Sequence, residues 1–266
     1  MPAGKTSAVA RLHDAVMSID RRSVTPPASD GDSAVEQGVT VSAPMRTAAR
    51  AGVAGQAVLT LGWLIATAWQ DDKYDVARHD MSDMAAIGVP HAWFVQIYQG
   101  LAGISMIAFV WLALRPALAG VRGRTLTAIL LTLTWGLGTL SDAFFRIDCR
   151  AADGCTAEQQ VQSWHATIHV STTLLLLVFA VTPYVVARCL RRSRSWARLA
   201  RPSVWFGIAI DVVLAAAVFI GARWGTGYAQ RVLLLLSAAW ISLLAAWVLH
   251  LGGRRDVPRA ETPHNN

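Results

Sequence analysis

The chain is 266 residues long, enough for one large domain or two small ones, yet 54% of it is hydrophobic and only 15% is charged, which excludes an ordinary water-soluble protein. Its formal net charge of +7 does not describe a nucleic-acid groove, because the arginines fall at the ends of long apolar runs, where they orient a membrane protein. Three cysteines in a chain of this length exclude a disulfide-scaffolded domain.

Residues 1–45 are rich in Ala, Ser, Asp, Pro and Arg and carry no sustained apolar periodicity beyond a weak amphipathic turn around Val9 to Ile19. They are expected to form a disordered cytoplasmic tail. A signal peptide would place an apolar core near the start, and the sequence has none there. From residue 46 to residue 251 the chain reads as one transmembrane domain. Apolar runs of about 18 or more residues predict a membrane helix each. They cover residues 51–69, 93–114, 125–145, 163–187, 202–222 and 230–249. Trp69, Trp93, Trp164, Trp205 and Trp224 stand near run ends, where tryptophan anchors helices at the interface. Residues 252–266 form a short basic tail with Arg254, Arg255 and Arg259. The expected fold is all-α: a polytopic bundle of six transmembrane helices.

The turns after the second and fourth runs carry Arg115, Arg122, Arg124, Arg188, Arg191, Arg192, Arg194, Arg198 and Arg201, and no acid. The opposite loops carry Lys73, Arg78, Arg146, Arg150, Arg223 and Arg231 among many aspartates. The positive-inside rule therefore predicts both termini in the cytoplasm, and the acidic and cysteine-bearing loops outside, for a multi-pass protein of the cell (inner) membrane. The basic stretch around Arg191 could also hold anionic headgroups, but the topology signal alone accounts for it.

Four short motifs occur in order on this layout: M-S-D-M-A-A-I-G (Met81 to Gly88), G-L-G-T-L-S-D-A-F-F-R-I-D-C (Gly136 to Cys149), W-H-A-T-I-H (Trp164 to His169) and Y-A-Q-R-V-L (Tyr228 to Leu233). Together they resemble the membrane proteins grouped as domain of unknown function 998. The resemblance spans about Leu61 to Trp247. It implies a six-helix membrane module, picks out the same polar residues and implies no reaction. The amino-terminal tail lies outside it.

Those polar residues gather at one end of the predicted bundle. His165 and His169 are four apart and project from one helix face. Three readings stand for them. As zinc ligands they have workable spacing if a carboxylate completes the site, with Asp142 the first candidate and Asp148 or Asp83 the alternatives. As a general acid or base, His165 would work with an aspartate beside it. As structural groups, both histidines would brace helices through hydrogen bonds. Ser82 is a nucleophile only with a base beside it, and otherwise caps a turn. Asp83 either caps the same segment or pairs with Arg231.

Asp211 falls near the middle of the fifth run, where a carboxylate needs a partner or a task. Gln230 and Arg231 open the sixth run and, with Asp83 and Asp211, are the candidate ligand-binding groups. Cys149 and Cys155, with five residues between them, are expected to form a disulfide in an oxidising compartment, with a Cys/His metal site as the rival reading. Cys189 is expected to be a free thiol. The functional expectation is an outward-facing polar pocket that binds a lipid headgroup or small polar molecule, with metal-assisted hydrolysis as one chemistry it could support. A small-molecule or proton-coupled transporter and an accessory membrane protein are the alternatives. The bilayer is the expected partner, nucleic acid is not, and zinc is the one cofactor in view.

Overall fold

A computed structural model describes residues 40–172 and 174–253. The expected tails at 1–39 and 254–266 lie outside the described residues. Six helices among the described residues are long and apolar enough to cross a membrane. They are α1 (Ala43–Ala68), α2 (Ala92–Ala117), α3 (Arg124–Phe144), α4 (Trp164–Leu190), α5 (Ala200–Trp224) and α6 (Gly227–Gly253).

The first helix begins at residue 43 rather than 51. Ser42 accepts a hydrogen bond from the Met45 amide at 3.5 Å, and Pro44 sits in the first turn, where its missing N–H costs nothing. Arg46 and Arg50, which the apolar count had left outside, therefore ride on the helix.

The helices form a closed ring in chain order. Each packs on the next, and α6 returns to α1. Close approach of α1 to α2 depends on small residues: a Cβ added at Gly55 would stand 2.6 Å from Ser105 Cβ, and one at Gly52 would stand 2.7 Å from Phe109 Cγ. In lipid, where burial gives no hydrophobic gain between helices, such packing is a main source of association. Inside α2 and α3 the ladder widens to π geometry at Val110–Leu114 and Thr132–Leu137.

The ring has two unlike ends. At the basic end, Arg192 donates to the Arg122 carbonyl at 2.9 Å, and Trp196 Nε1 donates to the Ala117 carbonyl at 3.3 Å. A continuous core fills the ring behind them, with Phe109, Phe179, Leu190, Trp196, Ile210, Trp240 and Ile241 all buried. At the other end lie residues 70–91, hereafter the first loop, and residues 145–163, the disulfide loop. A disulfide joins Cys149 to Cys155, and Cys189, near the basic end, is a buried free thiol. Here the core is a separate cluster under the first loop, made by Leu59, Trp63, Tyr74, Met84, Val95 and Tyr98. The side of the ring formed by α3 to α6 is not filled in the same way, and a cavity lies there.

Candidate functional site

The first loop is irregular backbone laid over the end of an apolar ring, so its polar groups need internal partners. Turns within the loop satisfy many of them, and Arg231 supplies a buried donor set for others. Its guanidinium donates to the carbonyls of Val76 (3.0 Å), His79 (3.1 Å) and Gly227 (2.9 Å) and to the Tyr74 hydroxyl. It also lies over the rings of Trp63 and Tyr74, with only 4% of the residue exposed. Gln230 accepts from the Met81 amide at 2.5 Å, and Thr226 donates to Asp80 at 2.5 Å. Burial pushes the Tyr74 hydroxyl up, against the opposing pull of the Arg231 charge.

A second set of contacts ties the first loop to the disulfide loop. Arg150, almost fully buried, donates to Asp71 at 2.7 Å and to both oxygens of Asp153 at 2.7 and 2.8 Å. This guanidinium holds Asp153 down to about 2 and lowers Asp71 as well, so both stay ionised and the clamp stays charged. Asp83 caps the short turn after the disulfide cysteine: its carboxylate accepts from the amides of Ala151 (3.3 Å) and Ala152 (3.1 Å). Burial raises its pKa, and those two amide hydrogen bonds work against the rise. Asp83 thus bridges two loops rather than capping its own segment or pairing with Arg231. Asp148 caps α4, accepting from the Ser163 amide at 2.7 Å, and the Ser163 hydrogen bonds lower its pKa.

Under these loops lies a cavity of about 780 Å³. Ser82, Asp83, Asp142, His169 and Gln230 line it, together with Gln99, Thr139 and Gln160. Further along, its wall is Trp135, Leu175, Phe179, Val213, Leu214 and Ala217. His169 Nδ1 lies 2.9 Å from the Phe145 carbonyl and 3.3 Å from Asp142 Oδ1. A carbonyl can only accept, so Nδ1 carries the hydrogen, and a neutral His169 keeps Nε2 as an acceptor.

His165 is not among the cavity-lining residues. Its ring rests 3.6 Å from that of Trp164 and 5.9 Å from that of Phe145. The pair spaced for zinc is therefore split between two tasks. Among the described residues no three His, Cys, Asp or Glu side chains stand close enough to share a metal ion. His169 and Asp142 alone fall short of the three protein ligands a catalytic zinc takes.

Ser82 lines the cavity inside the Met81–Ala85 turn, where Asp80 and not Ser82 holds the N-cap position, without a capping side-chain hydrogen bond, and no base bonds to Ser82 among the described residues. Asp211 lies outside the cavity lining, and one of its oxygens accepts from the Tyr184 hydroxyl at 2.6 Å. Sequence reasoning passed over Gln99, Gln160, Tyr184 and Arg150. The first was visible as an amide inside an apolar run. Arg150 was counted only as a loop charge.

Six membrane-crossing helices in a ring, with a polar end closed by two interlocked loops, make this a multi-pass membrane protein. The chain belongs to the family described as "Protein of unknown function (DUF998)", whose family model matches residues 53–247. No curated protein and no solved structure matches it.

Proposed function

We propose that the cavity binds an amphiphile, with a polar head under the two loops and an apolar tail along α4 and α5. The observation that carries this reading is the change in lining along the cavity. Asp142 and His169 stand within two turns of the disulfide end of their helices. Leu175 and Phe179 lie about 16 and 22 Å further into the ring than the start of α4, at the helical rise per residue. A headgroup needs the first environment and an acyl chain the second. Tail access is through α5, whose Val212, Val218 and Phe219 are exposed. Transport through Asp211 gains no support from its hydrogen bond to Tyr184.

A glycerolipid carrying a photoreactive diazirine at mid-chain tests the reading in membranes holding the full chain. Crosslinks should fall on peptides containing Leu175, Phe179, Val213 or Ala217. Labelling confined to Val218 and Phe219 would mean an ordinary lipid-facing surface and would end the proposal. Zinc measured in the same preparation is a second outcome. Stoichiometric metal that is lost on His169→Ala would turn the reading toward metal-assisted hydrolysis.

The cavity end is assigned to the outside of the cell membrane, and both termini to the cytoplasm, on the acid-free basic turns at the opposite end. Reporter fusions after Gly120 and Ser195 should read cytoplasmic, and those after Asp75 and Gly154 external. In intact cells Cys149 and Cys155 should resist an impermeant maleimide until reductant is added. The reverse fusion pattern, or free labelling, would overturn the assignment.

A further inference from the structure

The head that fits this cavity can be narrowed by asking which lining groups still lack a partner. Asp83 is occupied by two amides and Asp80 by Thr226. Gln230 Oε1 is taken by the Met81 amide. Arg78, the one arginine in the lining, is mostly exposed at the rim and lies 3.5 Å from Asp75. Beside groups that can donate as well as accept (Ser82, Thr139 and the amides of Gln160 and Gln230), the cavity holds acceptors that lack a donor. Among the described residues Asp142 has only His169 beside it, at one oxygen. His169 donates its Nδ1 hydrogen to the Phe145 carbonyl, which leaves Nε2 of the neutral ring with a lone pair. Gln99 lines the cavity with 7% of its surface exposed, and its Oε1 has no hydrogen-bond partner among the described residues. A buried amide oxygen without a donor costs free energy that a bound hydroxyl would recover.

Resting on the amphiphile reading above, we infer that the site selects an uncharged polyol head, such as the glycerol of a monoacylglycerol or the sugar of a glycosyl diacylglycerol, and rejects a phosphate. Hydroxyls supply donors to Asp142, His169 and Gln99 at once, without bringing a second charge out of water. A phosphate would bring only acceptors and negative charge toward the Asp142 carboxylate, a like-charge juxtaposition that low dielectric makes more costly. An ammonium would match the carboxylate but would lose its hydration for a single ionic partner. Several separated acceptors favour several hydroxyls.

The test compares three probes on the full chain purified in detergent, with binding read by native mass spectrometry: monooleoylglycerol, which has two free hydroxyls, oleoyl lysophosphatidic acid and glycerol alone. The two lipids share their tail and differ only in the phosphate. Monooleoylglycerol should bind at least about tenfold more tightly than lysophosphatidic acid, the ratio expected from one or two net hydrogen bonds. Gln99→Leu should cut monooleoylglycerol binding by about fivefold to tenfold and leave lysophosphatidic acid unchanged. Asp142→Asn, which removes the charge and keeps the shape, should narrow the gap between the two lipids.

Lysophosphatidic acid binding as tightly as monooleoylglycerol would overturn the head assignment and leave the amphiphile reading intact. Binding of neither lipid would overturn both. Glycerol binding as tightly as monooleoylglycerol would keep the polyol head and remove the tail. Should Asp142→Asn fail to fold, the wild-type comparison and Gln99→Leu still decide the matter.

Discussion

Replacing Arg231 by Leu is expected to detach the first loop and lower the unfolding free energy by about 3–5 kcal/mol, the range for removing one member of a buried, charged hydrogen-bond set. The carbonyls of Val76, His79 and Gly227 all accept from this guanidinium, and the Tyr74 hydroxyl beside it loses its donor. Leucine fills much of the volume but answers none of those groups. Thermal unfolding in detergent should shift strongly downward. Limited trypsin digestion should begin to cut after Lys73 and Arg78, on the loop that Arg231 holds down. Arg231→Lys keeps the charge without the planar fork, so it should recover only part of the loss. If Arg231→Leu leaves both the transition and the cleavage pattern unchanged, the loop is held without Arg231, by the Arg150 clamp and the Gln230, Thr226 and Asp83 contacts.

The same residue shows how far the sequence could be read. Six apolar runs, each bounded by arginine or tryptophan, were enough to give six helices, because a spanning segment must satisfy its own backbone. Ring closure of α6 on α1 was not legible: it depends on which faces meet, and helices that are apolar all round carry little directional pattern. Arg231 was visible as a charge at the start of the sixth run and was read as a ligand group. It turned out to hold loop carbonyls, a role that becomes visible only once the loop's irregular backbone is folded against it.

The histidines illustrate a finer limit. A spacing of four puts His165 and His169 on one face, but four residues advance the helix by somewhat more than one turn. The small angular offset, with Trp164 and Phe145 available as stacking partners, is enough to separate the two rings. Asp142 and His169 were both legible as candidates. That they would share the wall with Gln99 depends on α2 lying against α3, which no local pattern encodes.

Two glycines provide the sharpest test of how the first loop is seated. Gly154 and Gly225 both have φ of +88°, which strains any residue with a Cβ; Gly154, with ψ of 12°, is left-handed, whereas Gly225, with ψ of 162°, lies in a region that glycine alone populates. Around Gly154 nothing lies within 4 Å of an added Cβ, so Gly154→Ala should cost the backbone strain alone, about 1–2 kcal/mol. At Gly225, in the turn between α5 and α6, the same Cβ would stand 2.6 Å from the Arg78 carbonyl oxygen and 2.9 Å from its carbon. Those neighbours are backbone and cannot rotate away. Gly225→Ala should therefore add an overpacking cost of about 1–3 kcal/mol to a backbone strain at least as large. Both variants are measured by thermal unfolding in detergent, and Gly225→Ala should be the more destabilising of the two. Because the clash falls on the first loop rather than between helices, Gly225→Ala should also expose the Arg78 site to trypsin while helix content by circular dichroism stays near wild type. Equal losses for the two glycines would mean that the first loop does not rest on the turn between α5 and α6, and the cavity beneath it would then lack its roof.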